Sequence, residues 1–243
     1  MATFVQEAAY AASQSLKNFG LPLKRSQVLE VVAASLGYRT FSALTAENAD
    51  RSLDYHLEDA TFVILNIPMA ERRVHEMAPS SSPELAAIAA KQITDAILAA
   101  FPDAFLGIQG FWNDHLEETF VEAMSTSDET YSAQAESNAY FSDDVELDEG
   151  CPNVDDLWAA KDVWTIATTG TMTGSYDPDG DRMYTGDSLN CWAKLTFRKA
   201  GRAGLVEEDC ETGAGQDDSW RDLDREDEGA SMMPAATQGS KTP

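Results

Sequence analysis

The chain has 243 residues and carries 17 Lys+Arg against 42 Asp+Glu, a formal net charge of −25 at pH 7. That balance excludes a surface that tracks nucleic-acid phosphates or anionic lipid, unless a basic patch is segregated from the rest. No apolar run approaches the roughly 18 residues of a spanning helix, the first residues lack the charged start and apolar core of a signal peptide, and three widely spaced cysteines, Cys151, Cys191 and Cys210, point to a reducing cytoplasm.

Residues 4–19 carry apolar side chains at helical spacing (Phe4, Val5, Ala8, Ala12, Leu16, Phe19), and Gly20 stops the pattern. A second helix is predicted over 26–36. Ser26 is its expected N-cap, Val28, Leu29, Val32, Ala33 and Leu36 its apolar face, and Gly37 the left-handed residue closing it. A third follows over 40–48 with Phe41 and Leu44 inward. The run TFVILNI (61–67) reads as a buried strand ended by Pro68. Helices are predicted over 68–77 and 82–101. The latter has Ser82 as cap, Pro83 in its first turn and one stripe of Leu85, Ile88, Ala89, Ile93, Ile97 and Leu98. Residues 111–124 form another amphipathic helix around Trp112, Leu116, Phe120, Val121 and Met124. Residues 126–140 are weakly helical, and 142–150 (SDDVELDEG) are an acidic loop or a short edge strand.

Residues 163–176 and 190–199 alternate apolar with polar. In the second run Cys191, Ala193, Leu195 and Phe197 oppose Trp192, Lys194, Thr196 and Arg198. With a Gly/Asp-rich connection between them, they read as a β-hairpin. From Glu207 onward the chain is rich in Asp, Glu, Gly and Ser, and only Trp220 and Leu223 offer an anchor. Such a composition predicts a tail disordered in isolation. The expected fold is α+β: a helical module over 1–52, a mixed body over 53–206 and an acidic tail over 207–243.

The charge is not spread evenly. Residues 111–162 hold 1 Lys+Arg against 15 Asp+Glu, whereas residues 163–206 hold 5 against 4. Interleaved with the acidic block are Trp112, Phe120, Tyr131, Tyr140, Phe141 and Trp158. Crowded carboxylates with aromatic anchors suit a cationic macromolecule, by electrostatic steering and packed contact. Asp143, Asp144, Glu146, Asp148, Glu149, Asp155 and Asp156 are the expected partner contacts.

Other features carry weaker chemistry. Asp177, Asp179 and Asp181, followed by Asp187, place carboxylates at alternate positions, as calcium loops do. Pro178, Arg182 and Ser188 break that loop pattern, so turn geometry is the plainer role. His56, His75 and His115 lie in three different elements without metal-binding spacing. Cys191 is expected in the core, and Cys151 and Cys210 in acidic loops whose charge raises a thiol pKa. Ala33, Gly37 and Tyr38 have the spacing of a helix-turn-helix corner, for which Lys24, Arg25 and Arg39 would be the DNA-facing cations. The third helix, however, offers a reader only Asn48.

Residues 15–47, through Ser26, Gln27, Leu29, Glu30, Ala33, Gly37, Tyr38, Phe41 and Leu44, resemble the short N-terminal helical module of plasmid and mobile-element proteins commonly labelled glyoxalase-superfamily-like. The resemblance implies a mobile-element setting. Its label implies a metal-dependent enzyme, yet three histidines and no matching strand ladder leave no catalytic residue to carry across. The expectation is therefore a cytoplasmic, non-enzymatic protein without cofactor. It would bind a basic protein or nucleoprotein complex and inhibit or modulate nucleic-acid handling, as anti-restriction and anti-CRISPR inhibitors do, without binding duplex or membrane itself. A DNA-binding regulator and a metal-dependent enzyme are the alternatives.

Overall fold

The computed structural model describes residues 3–21, 23–137, 139–151, 157–176 and 188–217. Its helices begin with α1 (Thr3–Asn18), α2 (Arg25–Ser35) and α3 (Phe41–Asn48). Strand β1 (Phe62–Leu65) leads through α4 (Ile67–Met77) and α5 (Pro83–Ala100) to β2 (Ala104–Leu106), which lies parallel to it. A continuous helical stretch follows: α6 (Gly107–Phe111), a π turn (Trp112–Leu116) and α7 (Glu117–Ser125). After it come α8 (Asp128–Glu136), β3 (Ala139–Tyr140), β4 (Glu146–Leu147), β5 (Val163–Thr173), β6 (Ser175–Tyr176), β7 (Ser188–Ala200) and β8 (Gly204–Gln216). The class is mixed helix and sheet, as expected of an α+β chain.

Local chemistry sets most of these boundaries. Gly37 takes φ +79°, and the N–H groups of Tyr38 and Gly37 donate to the carbonyls of Ala33 and Ala34, so α2 ends in a Schellman closure. At the other end of α2, Ser26 is not the cap. Lys24 precedes the first turn, and its N–H donates to the Gln27 side chain at 2.9 Å, because Gln27, three residues on, reaches back to it. Asn66 and Ser82 cap α4 and α5 by accepting from Met69 and Leu85 N–H. Along α5 the buried residues are Ala86, Ala89, Ala90, Ile93, Thr94 and Ile97, while Ile88 faces water. The stripe is turned because α1 packs on the alanine side.

Six strands form the main sheet in the order β2-β1-β8-β7-β5-β4, with β1 antiparallel to β8. Strand β1 is buried on both faces and so divides the core. Val63 and Leu65 meet α1, α2, α4 and α5, while Phe62 and Ile64 join Phe111, Trp112, Leu116 and Phe120 beneath the α6–α7 helix. The first cluster contains residues from both sides of position 52, so the N-terminal helices share their core with α4 and α5. Strands β5, β7 and β8 place Trp164, Ile166, Leu195, Phe197 and Leu205 in the second cluster. On their other face Thr165, Ala167, Thr169, Thr173, Asn190 and Trp192 are exposed.

Residues 207–216, expected as the start of a disordered tail, are instead the outer part of β8. Composition misled because the ordering comes from a neighbour. β8 pairs with β7 from Gly204 to Gln216, and Glu208 and Glu211 meet Arg198 and Lys194 at 2.8 and 3.2 Å. Its carboxylates point to solvent while the ladder satisfies the backbone. Trp220 and Leu223 lie outside the described residues.

Candidate functional site

The segment DVELD (144–148) alternates, and the sheet edge uses the alternation. Val145 is buried and Leu147 half-buried, while Asp144, Glu146 and Asp148 face water. The Val145 N–H donates to the Ser125 hydroxyl at 3.0 Å, and β4 pairs with β5 through Glu146↔Thr171 and Leu147↔Gly170. Gly170 makes this approach possible. A Cβ there would stand 2.5 Å from Val145 Cγ1 and 2.8 Å from the Glu146 carbonyl oxygen. β4 is thus the outer strand of the sheet, and its acidic side chains project from that edge.

Asp143, Asp144, Glu146, Asp148 and Glu149 are all exposed. None of the five forms an ion pair among the described residues, where the paired acids are Asp59, Glu76, Asp95, Glu208 and Glu211. Asp148 Oδ1 accepts a hydroxyl bond from Thr171 at 2.9 Å. Beside them Glu149, Gly150, Ala167, Thr169 and Trp192 line an open hollow of about 330 Å³. Trp192 is 43% exposed, and its indole lies across Gly213, where a Cβ would come within 2.2 Å of Nε1. A rigid aromatic face therefore shares a hollow with one carboxylate, Glu149, that forms no ion pair among the described residues, an arrangement that receives an Arg or Lys side chain by charge and by cation–π contact. The sequence alternation already set Trp192 opposite the core residues. Its proximity to Glu149 depends on β4 and is invisible in sequence. Asp155 and Asp156 lie outside the described residues.

The other candidates separate. Lys24 and Arg25 stand at the start of α2 and Arg39 beyond its end, about 16 Å of helix apart. Arg25 donates to Gln6 at 3.1 Å, whereas Arg39 approaches Arg72 and Arg73 on α4, residues the sequence reading did not select. The structure therefore does not gather Lys24, Arg25 and Arg39 into one basic face. Asp177, Asp179, Asp181 and Asp187 lie outside the described residues, and among the described residues no three His, Cys, Asp or Glu side chains are grouped to hold a metal. His56 is held by the Asp50 carbonyl and by Asp59, His75 is exposed on α4, and His115 in the π turn stacks on Phe111 at 5.5 Å. Cys191 is buried as expected, but Cys210 is a strand residue opposite Leu195 rather than part of a loop. Burial raises the pKa of all three thiols, and at Cys210 Glu207 and Asp209 add to it. Among the described residues no helix is long and apolar enough to cross a membrane.

Comparison with protein-family models, with curated proteins and with solved structures yields no match.

Proposed function

We propose that the protein is a non-enzymatic, cytoplasmic binding module of a mobile element, which engages a cationic macromolecule through the β4 edge and the Trp192 face. The reading rests on one observation: five exposed carboxylates in seven consecutive residues, none ion-paired among the described residues, held on a sheet edge beside an exposed indole. Like charges at this spacing repel one another, and a positively charged partner relieves that cost while Trp192 supplies a packed anchor. The partner class that fits is a basic protein of a nucleic-acid-handling complex, whose groove would meet carboxylates in place of phosphates. A DNA-binding regulator is the poorer reading, because the three cations it needs are split between the two ends of α2.

The test is capture from host extract with the full chain as bait, followed by mass spectrometry, at about 50 and about 500 mM salt. Two variants accompany it: a quadruple charge reversal (Asp143→Lys, Asp144→Lys, Asp148→Lys, Glu149→Lys) and Trp192→Ala. The expected result is a basic partner held at low salt, released at high salt and lost with either variant. A partner indifferent to salt and to both variants would refute the assignment.

A further inference from the structure

Against the acidity of the whole chain, one depression is basic. Arg39, Met69, Arg72, Arg73 and Glu76 line a hollow of about 240 Å³ between the turn after α2 and the side of α4. Arg73 is its fixed member. It is half-buried, its Nη2 donates to the Arg39 carbonyl, and its Nη1 lies 3.3 Å from Glu76. Arg39 and Arg72 are exposed and form no ion pair among the described residues, where Arg73, Lys91, Lys194 and Arg198 hold the Lys/Arg pairs. Glu76 offsets Arg73, so two guanidinium groups remain uncompensated on one small concave surface.

The nearby acids do not close it. Glu30 is engaged by the Phe41 N–H at 3.0 Å, and Glu71 is exposed on α4 without an ion pair among the described residues. Two free guanidinium forks match the charge and the paired oxygens of a phosphoryl dianion. The volume lies just below the usual range for drug-sized ligands, about 300–1,000 Å³, so it admits a phosphoryl group and a small organic portion. A long polyanion is disfavoured, because its other phosphates would face the acidic remainder of the molecule. A single dianion is shielded from that remainder beyond about 8 Å at physiological salt.

We propose that this cleft binds the phosphoryl group of a small phosphomonoester, with Arg39 and Arg72 gripping its oxygens and Arg73 holding the Arg39 backbone in place. The site is separate from the acidic edge and stands or falls independently of it.

Calorimetric titration of the full chain tests the proposal with three probes: inorganic phosphate, a nucleoside 5′-monophosphate and a single-stranded DNA 12-mer. One mole of phosphate or mononucleotide should bind per chain. Arg39→Gln and Arg72→Gln should each weaken binding ~10-fold, as loss of one charge-assisted pair does. Both side chains are exposed, and the Arg39 carbonyl that holds Arg73 survives substitution, so circular dichroism should show native folding. Arg25→Gln, at a side chain that donates to Gln6 and does not line the cleft, should change affinity less than about twofold. Three results would overturn the proposal: no heat with phosphate or mononucleotide up to about 10 mM, affinity in both arginine variants unchanged from that of the unsubstituted chain, or tighter binding of the 12-mer than of the mononucleotide. The last would make the cleft part of a nucleic-acid surface.

Discussion

Tyr38→Phe removes one oxygen atom and tests how the helices are fastened to the sheet. Tyr38 is 2% exposed. Its hydroxyl donates to Glu47 Oε1 at 2.7 Å and accepts from the Arg202 N–H at 3.0 Å. Glu47 belongs to α3 and Arg202 to the β7–β8 turn, so one side chain joins the α2–α3 corner to the sheet. The fit leaves no slack: Gly201 has φ +72°, and a Cβ there would stand 2.5 Å from that hydroxyl. Without it the Arg202 N–H has no partner, at a cost of about 1–3 kcal/mol, and Glu47 exchanges its bond for water at about 1 kcal/mol. The sum is roughly 2–4 kcal/mol, or a fall in Tm of about 4–16 °C for a chain of this size. Burial also holds the Tyr38 phenol well above its ordinary pKa. Above about pH 10 the unfolded chain has released this proton while the native state retains it. Stability therefore falls as pH rises past 10, by up to about 1.4 kcal/mol per pH unit, and Tyr38→Phe lacks that contribution. Urea unfolding followed by circular dichroism at pH 7, 9, 10 and 11 measures both effects. A loss below about 0.5 kcal/mol at pH 7, or parallel pH slopes above 10, would show that the hydroxyl does not fasten the two layers.

Gly170→Val should unseat β4. The new side chain occupies the space of Val145 Cγ1 and the Glu146 carbonyl, and overpacking of this kind costs about 1–3 kcal/mol. Limited proteolysis should then cut within residues 143–149, and an unchanged cleavage pattern would count against the close β4–β5 approach. Among the thiols, Cys210 is exposed, Cys151 half-buried and Cys191 buried, so labelling in native buffer should proceed in that order. Glu207→Gln should speed Cys210 labelling, since Glu207 raises that thiol. Peptide mass spectrometry reads the order, and early labelling of Cys191 would contradict its place in the core.

What the sequence disclosed was local. Alternation in β7 placed Cys191, Ala193, Leu195 and Phe197 inward, and Gly37 announced the end of α2, because each depends on residues a few positions apart. β8 was hidden for the opposite reason. Its carboxylates and glycines are poor strand formers alone, and the β7 ladder orders them. β2 is three residues long and exists only by pairing with β1 across two helices. The cap of α2 escaped because Gln27 acts from inside the helix, where Ser26 looked the better residue. The acidic edge was visible as a charge run. The arginine cleft was not, since Arg39 and Arg72 come from different elements and only the packing of α2 against α4 brings them together.

The two charged sites belong to opposite parts of one sheet, and this separation decides whether they can coexist. β4 is the outer strand, while α4 springs from β1, four strand spacings away. At about 4.8 Å each these amount to roughly 19 Å. Over more than two Debye lengths at physiological salt, the arginines cannot neutralise the carboxylates. Among the described residues, Lys194 and Arg198 on the exposed face of the sheet are paired with Glu211 and Glu208. Those two cations hold β8 to β7, and among the described residues no ion pair reaches the carboxylates of the β4 edge. An edge strand that is short and carries charges on its outward side resists pairing with another strand, so a partner reaches it through side chains rather than by extending the sheet. Contact of that kind is the most salt-sensitive form of binding, and salt release of a captured partner separates this account from one based on strand addition.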